Sequence, residues 1–197
     1  MIASPIDPAA EIRHAVEAYQ DSNNFAALLD RLLAIAAATD LDSLIAAVAP
    51  YRHIPEVAGP IYERIVAERP TDAQALVVLA NAYWLTGRGP DAVSELATRA
   101  MAADPANRGA WHLWALSEPT LRERVARWKQ VSERFPDDDL ARANLADNAA
   151  SLASTERDRE ALQIAIRTYK SLLRTATRPE QREALTQAIS TLEAWHL

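Results

Sequence analysis

Apolar residues recur along the chain at the three- and four-residue spacing of amphipathic helices, and prolines or polar turns separate the helical segments. The clearest stretch is 71–105. It carries two stripes at this spacing, Leu76, Leu79, Ala80 and Tyr83 in a first helix, then Ala92, Leu96 and Ala100 in a second. Gly87 and Gly89 lie between the stripes, where glycine readily leaves helical dihedral angles. The pattern predicts two antiparallel helices that must pack on neighbours, because each is too short to be stable alone.

The 71–105 stretch resembles the tetratricopeptide repeat. The matching positions are Leu76, Leu79, Ala80, Tyr83, Gly87, Ala92 and Pro105. Pro70, Pro105 and Pro136 lie 35 and 31 residues apart, close to the period of roughly 34 residues typical of this repeat. The resemblance extends over residues 40–179 and implies a right-handed α-solenoid of stacked helix pairs that acts as an interaction scaffold.

Similar stripes predict helices along the rest of the chain, over residues 7–20, 25–38, 39–50, 54–69, 107–117, 120–135, 138–152, 160–175 and 179–195. Asp7 and Pro8 have the types favoured at an N-cap and at the first helical position. Thr120 and Glu123 form a capping-box pattern, and residues 154–159 are either a loop or a helical extension.

These segments predict an all-α protein, a right-handed α-solenoid of about eleven helices. We expect a single domain over residues 1–197. It would comprise an N-terminal helix pair at 1–39, the repeats at 40–178 and a C-terminal capping helix at 179–197.

Composition and charge narrow the range of partners. Hydrophobic residues make up 49% of the chain, which is enough for a continuous core, and cysteine is absent, which excludes disulfides. The net charge of −6 arises within residues 1–100, and this argues against nucleic acid as a partner. No basic segment precedes an apolar run at the N-terminus, and no apolar run is long enough to cross a bilayer. We therefore expect a cytoplasmic protein without membrane insertion.

The resemblance implies a partner-binding groove lined by the first helix of each pair. Its candidate residues are Val77, Val78, Asn81, Trp84, His112, Leu113, Leu116, Asn144, Asp147 and Ser151. Asn81 and Asn144 could hydrogen-bond a peptide backbone, since an amide both donates and accepts. The alternative is that Val77, Val78 and Trp84 are packing residues.

Three further groups of residues invite a functional interpretation. We expect Trp111 to belong to the core, and Trp114 and Trp128 to be partly exposed. Arg167, Lys170, Arg174 and Arg178 form a basic stripe, which is either a solvated face or a docking site for an acidic partner. Residues 137–139 are three consecutive aspartates that we interpret as a helix cap, with a metal site as the alternative.

Catalytic motifs are missing from the sequence. The four histidines lack metal-ligand spacing, and there is no glycine-rich phosphate loop. We therefore expect a non-catalytic scaffold or adaptor that binds a protein, peptide or helix in its concave groove, with no cofactor and no metal. One alternative is an accessory or regulatory subunit of a larger enzyme, secretion or assembly complex, docking through an edge or the convex face. An enzyme with a dispersed site is the other, and self-association is left open.

Overall fold

The computed structural model describes residues 7–196. These residues form eleven α-helices and no strand. The helices are α1 (Pro8–Ser22), α2 (Phe25–Ala38), α3 (Leu41–Val48), α4 (Pro55–Glu68), α5 (Ala73–Thr86), α6 (Pro90–Ala103), α7 (Arg108–Leu116), α8 (Leu121–Arg134), α9 (Asp139–Glu156), α10 (Arg159–Thr175) and α11 (Pro179–Glu193). The predicted all-α class and helix number are confirmed.

Short polar side chains begin many of these helices. Asp7 Oδ1 accepts a hydrogen bond from the Ala9 amide at 3.0 Å, and Pro8 occupies the first helical position as predicted. Other N-caps, each bonded to the amide three residues on, are Asn24, Asp40, Asp72, Asp138 and Asp158. Asp138 is the middle residue of the aspartate run, so this side chain caps α9.

The helices form two compact units, and the boundary between Leu113 and Trp114 lies within α7. In the first unit, α1 packs against α2 and α3, α2 and α5 each pack against α4, and α6 packs against α5. In the second unit, α8 packs against α9, α9 against α10, and α10 against α11. The single-domain organisation stays a prediction.

Each unit has its own buried apolar residues. In the first unit the largest fully buried side chains are Ile12, Leu28, Leu32, Leu44, Ile61, Ile65 and Leu76. In the second unit Trp128 and Val131 are fully buried, and alanines such as Ala146, Ala149 and Ala165 fill the remaining helix contacts. Small residues allow these helices to approach closely, which explains how an alanine-rich sequence packs densely.

The burial of two tryptophans and the cap at Thr120 differ from expectation, and for residues 154–159 the structure has one of the two predicted alternatives. Trp128 is 2% exposed, although partial exposure was expected, and Trp111 is only partly buried. Thr120 is the N-cap of α8, but its side chain makes no capping bond, and its own amide donates to Glu118 Oε1 at 2.9 Å. The polar segment 154–159 is a helical extension followed by a tight turn, because α9 continues to Glu156 and Arg157 ends it in the left-handed conformation.

Candidate partner-binding surfaces

Helix α5 carries the first group of predicted groove residues. Val78 is buried. Val77 packs closely against Gly109 of α7, since a methyl group added at Gly109 would lie only 3.2 Å from Cγ1 of Val77. Both valines therefore contribute to packing within the first unit, as the alternative interpretation allows. The groove hypothesis on α5 depends on Asn81 and Trp84.

Asn81 and Trp84 lie three residues apart, on one side of α5. Trp84 is 39% exposed, and its neighbour Leu85 is 57% exposed. The Asn81 side chain is partly buried and makes no hydrogen bond to any other residue in the described range 7–196. A partly buried amide without a protein partner can bond a peptide backbone at both its donor and its acceptor. Leu85 is not among the predicted groove residues, although its position off the apolar stripe of α5 indicates that it faces outward.

Helix α7 carries the next three candidates. Leu113 is buried, while His112 and Leu116 are partly buried. Leu113 therefore offers little side-chain surface to a partner. His112 and Leu113 belong to the first unit and Leu116 belongs to the second.

Helix α9 presents a polar stripe in the second unit. Asn144, Asp147 and Ser151 follow one another at three- and four-residue spacing. Leu140, one turn before Asn144 on the same side of the helix, adds an apolar side chain that is 60% exposed. Several of these groups bond their own helix. Asn144 Nδ2 donates to the Leu140 carbonyl at 2.9 Å, and Ser151 Oγ donates to the Asp147 carbonyl at 2.9 Å. The stripe is largely exposed. Its Asn144 and Ser151 donors already bond carbonyls of α9, whereas the Asn81 amide of α5 has no such bond within residues 7–196.

Asp147 is held by a tyrosine on the neighbouring helix. The Tyr169 hydroxyl of α10 donates to Asp147 Oδ1 at 2.5 Å. Partial burial, followed by this hydrogen bond to a carboxylate, raises the pKa of the Tyr169 hydroxyl above its ordinary value. In the first unit, burial and a 2.9 Å bond from Tyr83 to Glu63 raise the pKa of Tyr83 in the same way.

The raised pKa of Tyr169 predicts a loss of stability at alkaline pH. The folded protein holds this proton above pH 10.0, the ordinary value at which the unfolded chain releases it. Unfolding then releases a proton, so the stabilisation is complete below about pH 10 and declines as pH rises further. Tyr169→Phe is expected to cost about 1 kcal/mol at neutral pH and to make the alkaline decline shallower. Urea unfolding from pH 7 to 11 measures both effects.

A matched control for this prediction is Tyr51→Phe. Tyr51 is partly buried and makes no side-chain hydrogen bond within residues 7–196. If Tyr169→Phe and Tyr51→Phe give the same pH dependence, the hydrogen bond to Asp147 is not the source of the effect.

The predicted basic stripe on α10 is partly neutralised within the second unit. Lys170 Nζ lies 2.6 Å from Glu193 Oε1 of α11, and Arg174 donates to Ser171 Oγ at 3.3 Å. Arg167 is exposed. Because the ammonium of Lys170 already faces a carboxylate, the stripe is less cationic than its sequence indicates.

The partly buried Trp114 has a structural partner in the same unit. The Arg127 guanidinium lies 4.6 Å from the centre of a Trp114 ring, donates to the Trp114 carbonyl at 2.7 Å and pairs with Glu118 at 2.7 Å. Cation–π stacking together with a partly buried ion pair holds the middle of α8 against the end of α7 and the loop that follows it.

Residues 7–196 contain no group of three or more His, Asp or Glu side chains placed to share a metal ion. None of the helices in that range is long and apolar enough for a membrane span.

Comparison with known proteins supports the architecture. No protein-family model and no curated protein matches the sequence. A crystal structure of MamA matches with a TM-score of 0.58 at 13% identity, over 88% of this chain and 99% of MamA. A thermophilic TPR (tetratricopeptide repeat) protein from Thermus thermophilus matches with a TM-score of 0.55 at 17% identity, over 95% of this chain and 100% of that protein. The chain therefore has the helical-repeat fold of tetratricopeptide-like proteins.

Proposed function

We propose that this chain is a non-catalytic scaffold that binds a peptide or helical segment of another protein through the exposed face of α5. The observation that carries the proposal is the Asn81 amide, which has no hydrogen-bond partner within residues 7–196 and lies beside the exposed ring of Trp84. An aromatic anchor beside an amide provides apolar contact and backbone hydrogen bonding. The polar stripe of α9, with Asn144, Asp147 and Ser151, is the second surface of this proposal.

The adaptor role and the concave groove are part of the same proposal. A docking role through the basic stripe of α10 is less well supported, because Glu193 already neutralises Lys170. No arrangement of the described residues favours catalysis over binding, so the proposed activity is recognition alone.

The test is quantitative affinity capture from native lysate with the full-length chain as bait, followed by mass spectrometry. The double variant Asn81→Ala/Trp84→Ala is expected to retain a true partner at least about tenfold less well, since interface tryptophans often contribute about 2 kcal/mol or more. Gln130→Ala is the matched control, because Gln130 is an exposed amide on α8. If the unmodified chain and the double variant retain the same proteins in the same amounts, the proposal is wrong.

A further inference from the structure

Helix α2 has an outer face that is apolar and uncovered in the described structure. Phe25, Leu29 and Leu33 are spaced at four residues along it, with Phe25 46% and Leu33 47% exposed and Leu29 between them partly buried. The adjoining strip of the same helix buries Leu28 and Leu32 within the first unit. We call the ridge of Phe25, Leu29 and Leu33 the α2 face. An uncovered ridge at this spacing is the shape that fits the groove of another helix.

The α2 face borders a cleft of about 270 Å³ within the first unit. Phe25 and Leu29 form one wall, and Pro55, Gly59 and Pro60 of α4 form another. Because Gly59 has no side chain and Pro60 has a compact ring, the wall from α4 is low and apolar. A bulky apolar side chain from a partner could lie here while its helix follows the α2 face.

The charges around this surface are unequal. Asp21, Asp30 and Glu56 have no cationic partner among residues 7–196, and Glu56 lines the cleft. The nearby cations are engaged. Arg31 pairs with Glu11 at 3.6 Å. Arg88, which also lines the cleft, pairs with Glu63 at 3.5 Å and lies over the Tyr83 ring. Asp21 precedes Phe25 by four residues, Asp30 directly follows Leu29, and Glu56 lines the cleft, so unpaired carboxylates outnumber unpaired cations among the described residues near the ridge and give it a negative rim.

From the apolar ridge, the cleft and this rim, we propose that the α2 face and its cleft bind a cationic amphipathic helix of another protein. That helix presents leucine or phenylalanine to the ridge and lysine or arginine to Asp21, Asp30 and Glu56. Helix α2 has 14 residues and is about 21 Å long, which matches a partner segment of similar length. The proposal goes beyond the proposed function, since it uses neither Asn81 nor the stripe of α9.

A second copy of this chain is the competing occupant of the α2 face, and charge decides against it. The net charge of −6 lies within residues 1–100, so two copies meeting through this region would repel each other. A cationic partner gains attraction from the same charges. The two occupants consequently respond oppositely to salt, because screening weakens attraction and relieves repulsion.

The test titrates the full-length chain against a fluorescent synthetic helix of about 18 residues, long enough to form several turns when bound. The probe has leucine on one face and lysine on the other, and a matched probe has glutamate in place of lysine. We expect the lysine probe to bind and the glutamate probe not to bind, with weaker binding at higher salt. Leu33→Ser should raise Kd about tenfold, the effect of leaving a half-exposed leucine unburied.

The charge requirement has its own matched pair of variants. Glu56→Gln should raise Kd for the lysine probe about threefold, as expected for a solvent-accessible ion pair. Asp91→Asn removes the same charge from α6, at a residue that does not line the cleft, and should leave Kd unchanged. Asn81→Ala should also leave Kd unchanged, so failure here is distinguishable from failure of the proposed function.

Three outcomes would overturn the inference. The first is equal Kd values for Leu33→Ser and Asp91→Asn while circular dichroism shows both folded. The second is equal binding of the lysine and glutamate probes. The third is a dimer in sedimentation that strengthens with salt, is lost in Leu33→Ser and excludes the probe, which would assign the face to a second copy.

Discussion

Trp128→Ala is expected to lower the free energy of unfolding by about 3–5 kcal/mol, the cost typical of removing a fully buried aromatic side chain. Trp128 is 2% exposed and is the largest of the fully buried side chains. It lies on α8, in a unit whose buried residues include many alanines, and an alanine cannot extend into the space that the indole leaves. The cavity therefore adds to the lost apolar burial. Urea unfolding monitored by circular dichroism measures the change.

The matched control is Trp84→Ala, which removes the same side chain from an exposed position. Trp84 is 39% exposed and forms part of the proposed binding surface. We expect it to cost clearly less than Trp128→Ala, because a much larger part of the Trp84 side chain is already in contact with water. Equal losses for Trp84→Ala and Trp128→Ala would show that Trp128 does not occupy the core of the second unit.

Leu32→Ala is expected to destabilise the protein by about 2–5 kcal/mol, the range for buried leucine truncations. Leu32 lies on the inner face of α2 and is completely buried. This helix contacts both α1 and α4, so a cavity at Leu32 weakens the packing of three helices. Chemical unfolding measures the loss.

Leu33→Ala, at the adjacent position, is the control for Leu32→Ala. Leu33 is 47% exposed on the α2 face, and its truncation is expected to cost about 1 kcal/mol or less. The contrast between two neighbouring leucines separates core packing from surface exposure with the same chemical change. Comparable losses at the two positions would contradict the assignment of Leu33 to an uncovered face, and would also remove the basis for a docking site there.

Local sequence signals predicted the helices well. Apolar spacing marked the helical segments, and short-range chemistry marked their ends, because an aspartate N-cap bonds an amide only two or three residues away. The same local reasoning failed at Thr120, whose amide donates to Glu118 in the preceding loop. Residues 154–159 illustrate a second limit, since their local sequence is compatible with either a loop or a helical extension. The structure has the extension, in a helix that packs against α10.

The candidate binding residues were predicted less completely. Helical periodicity places Val77, Val78, Asn81 and Trp84 near one side of α5, yet Val78 is buried while Trp84 is exposed. Periodicity describes one helix at a time and cannot tell which part of its surface a neighbouring helix covers. The same reason explains why the sequence alone did not show the exposure of Leu140 or the hydrogen bond from Tyr169 to Asp147.

The sequence by itself determined the all-α class, the eleven helices and many of their ends, because those features depend on interactions within a few residues. Only the tertiary structure decided that Trp128 is core, that Lys170 is neutralised by Glu193, and that the Asn81 amide and the α2 face remain without partners in the described chain. Those properties depend on contacts between helices distant in sequence. Burial and charge pairing are set by the neighbours that packing brings together, and the spacing of residues along one helix does not contain that information.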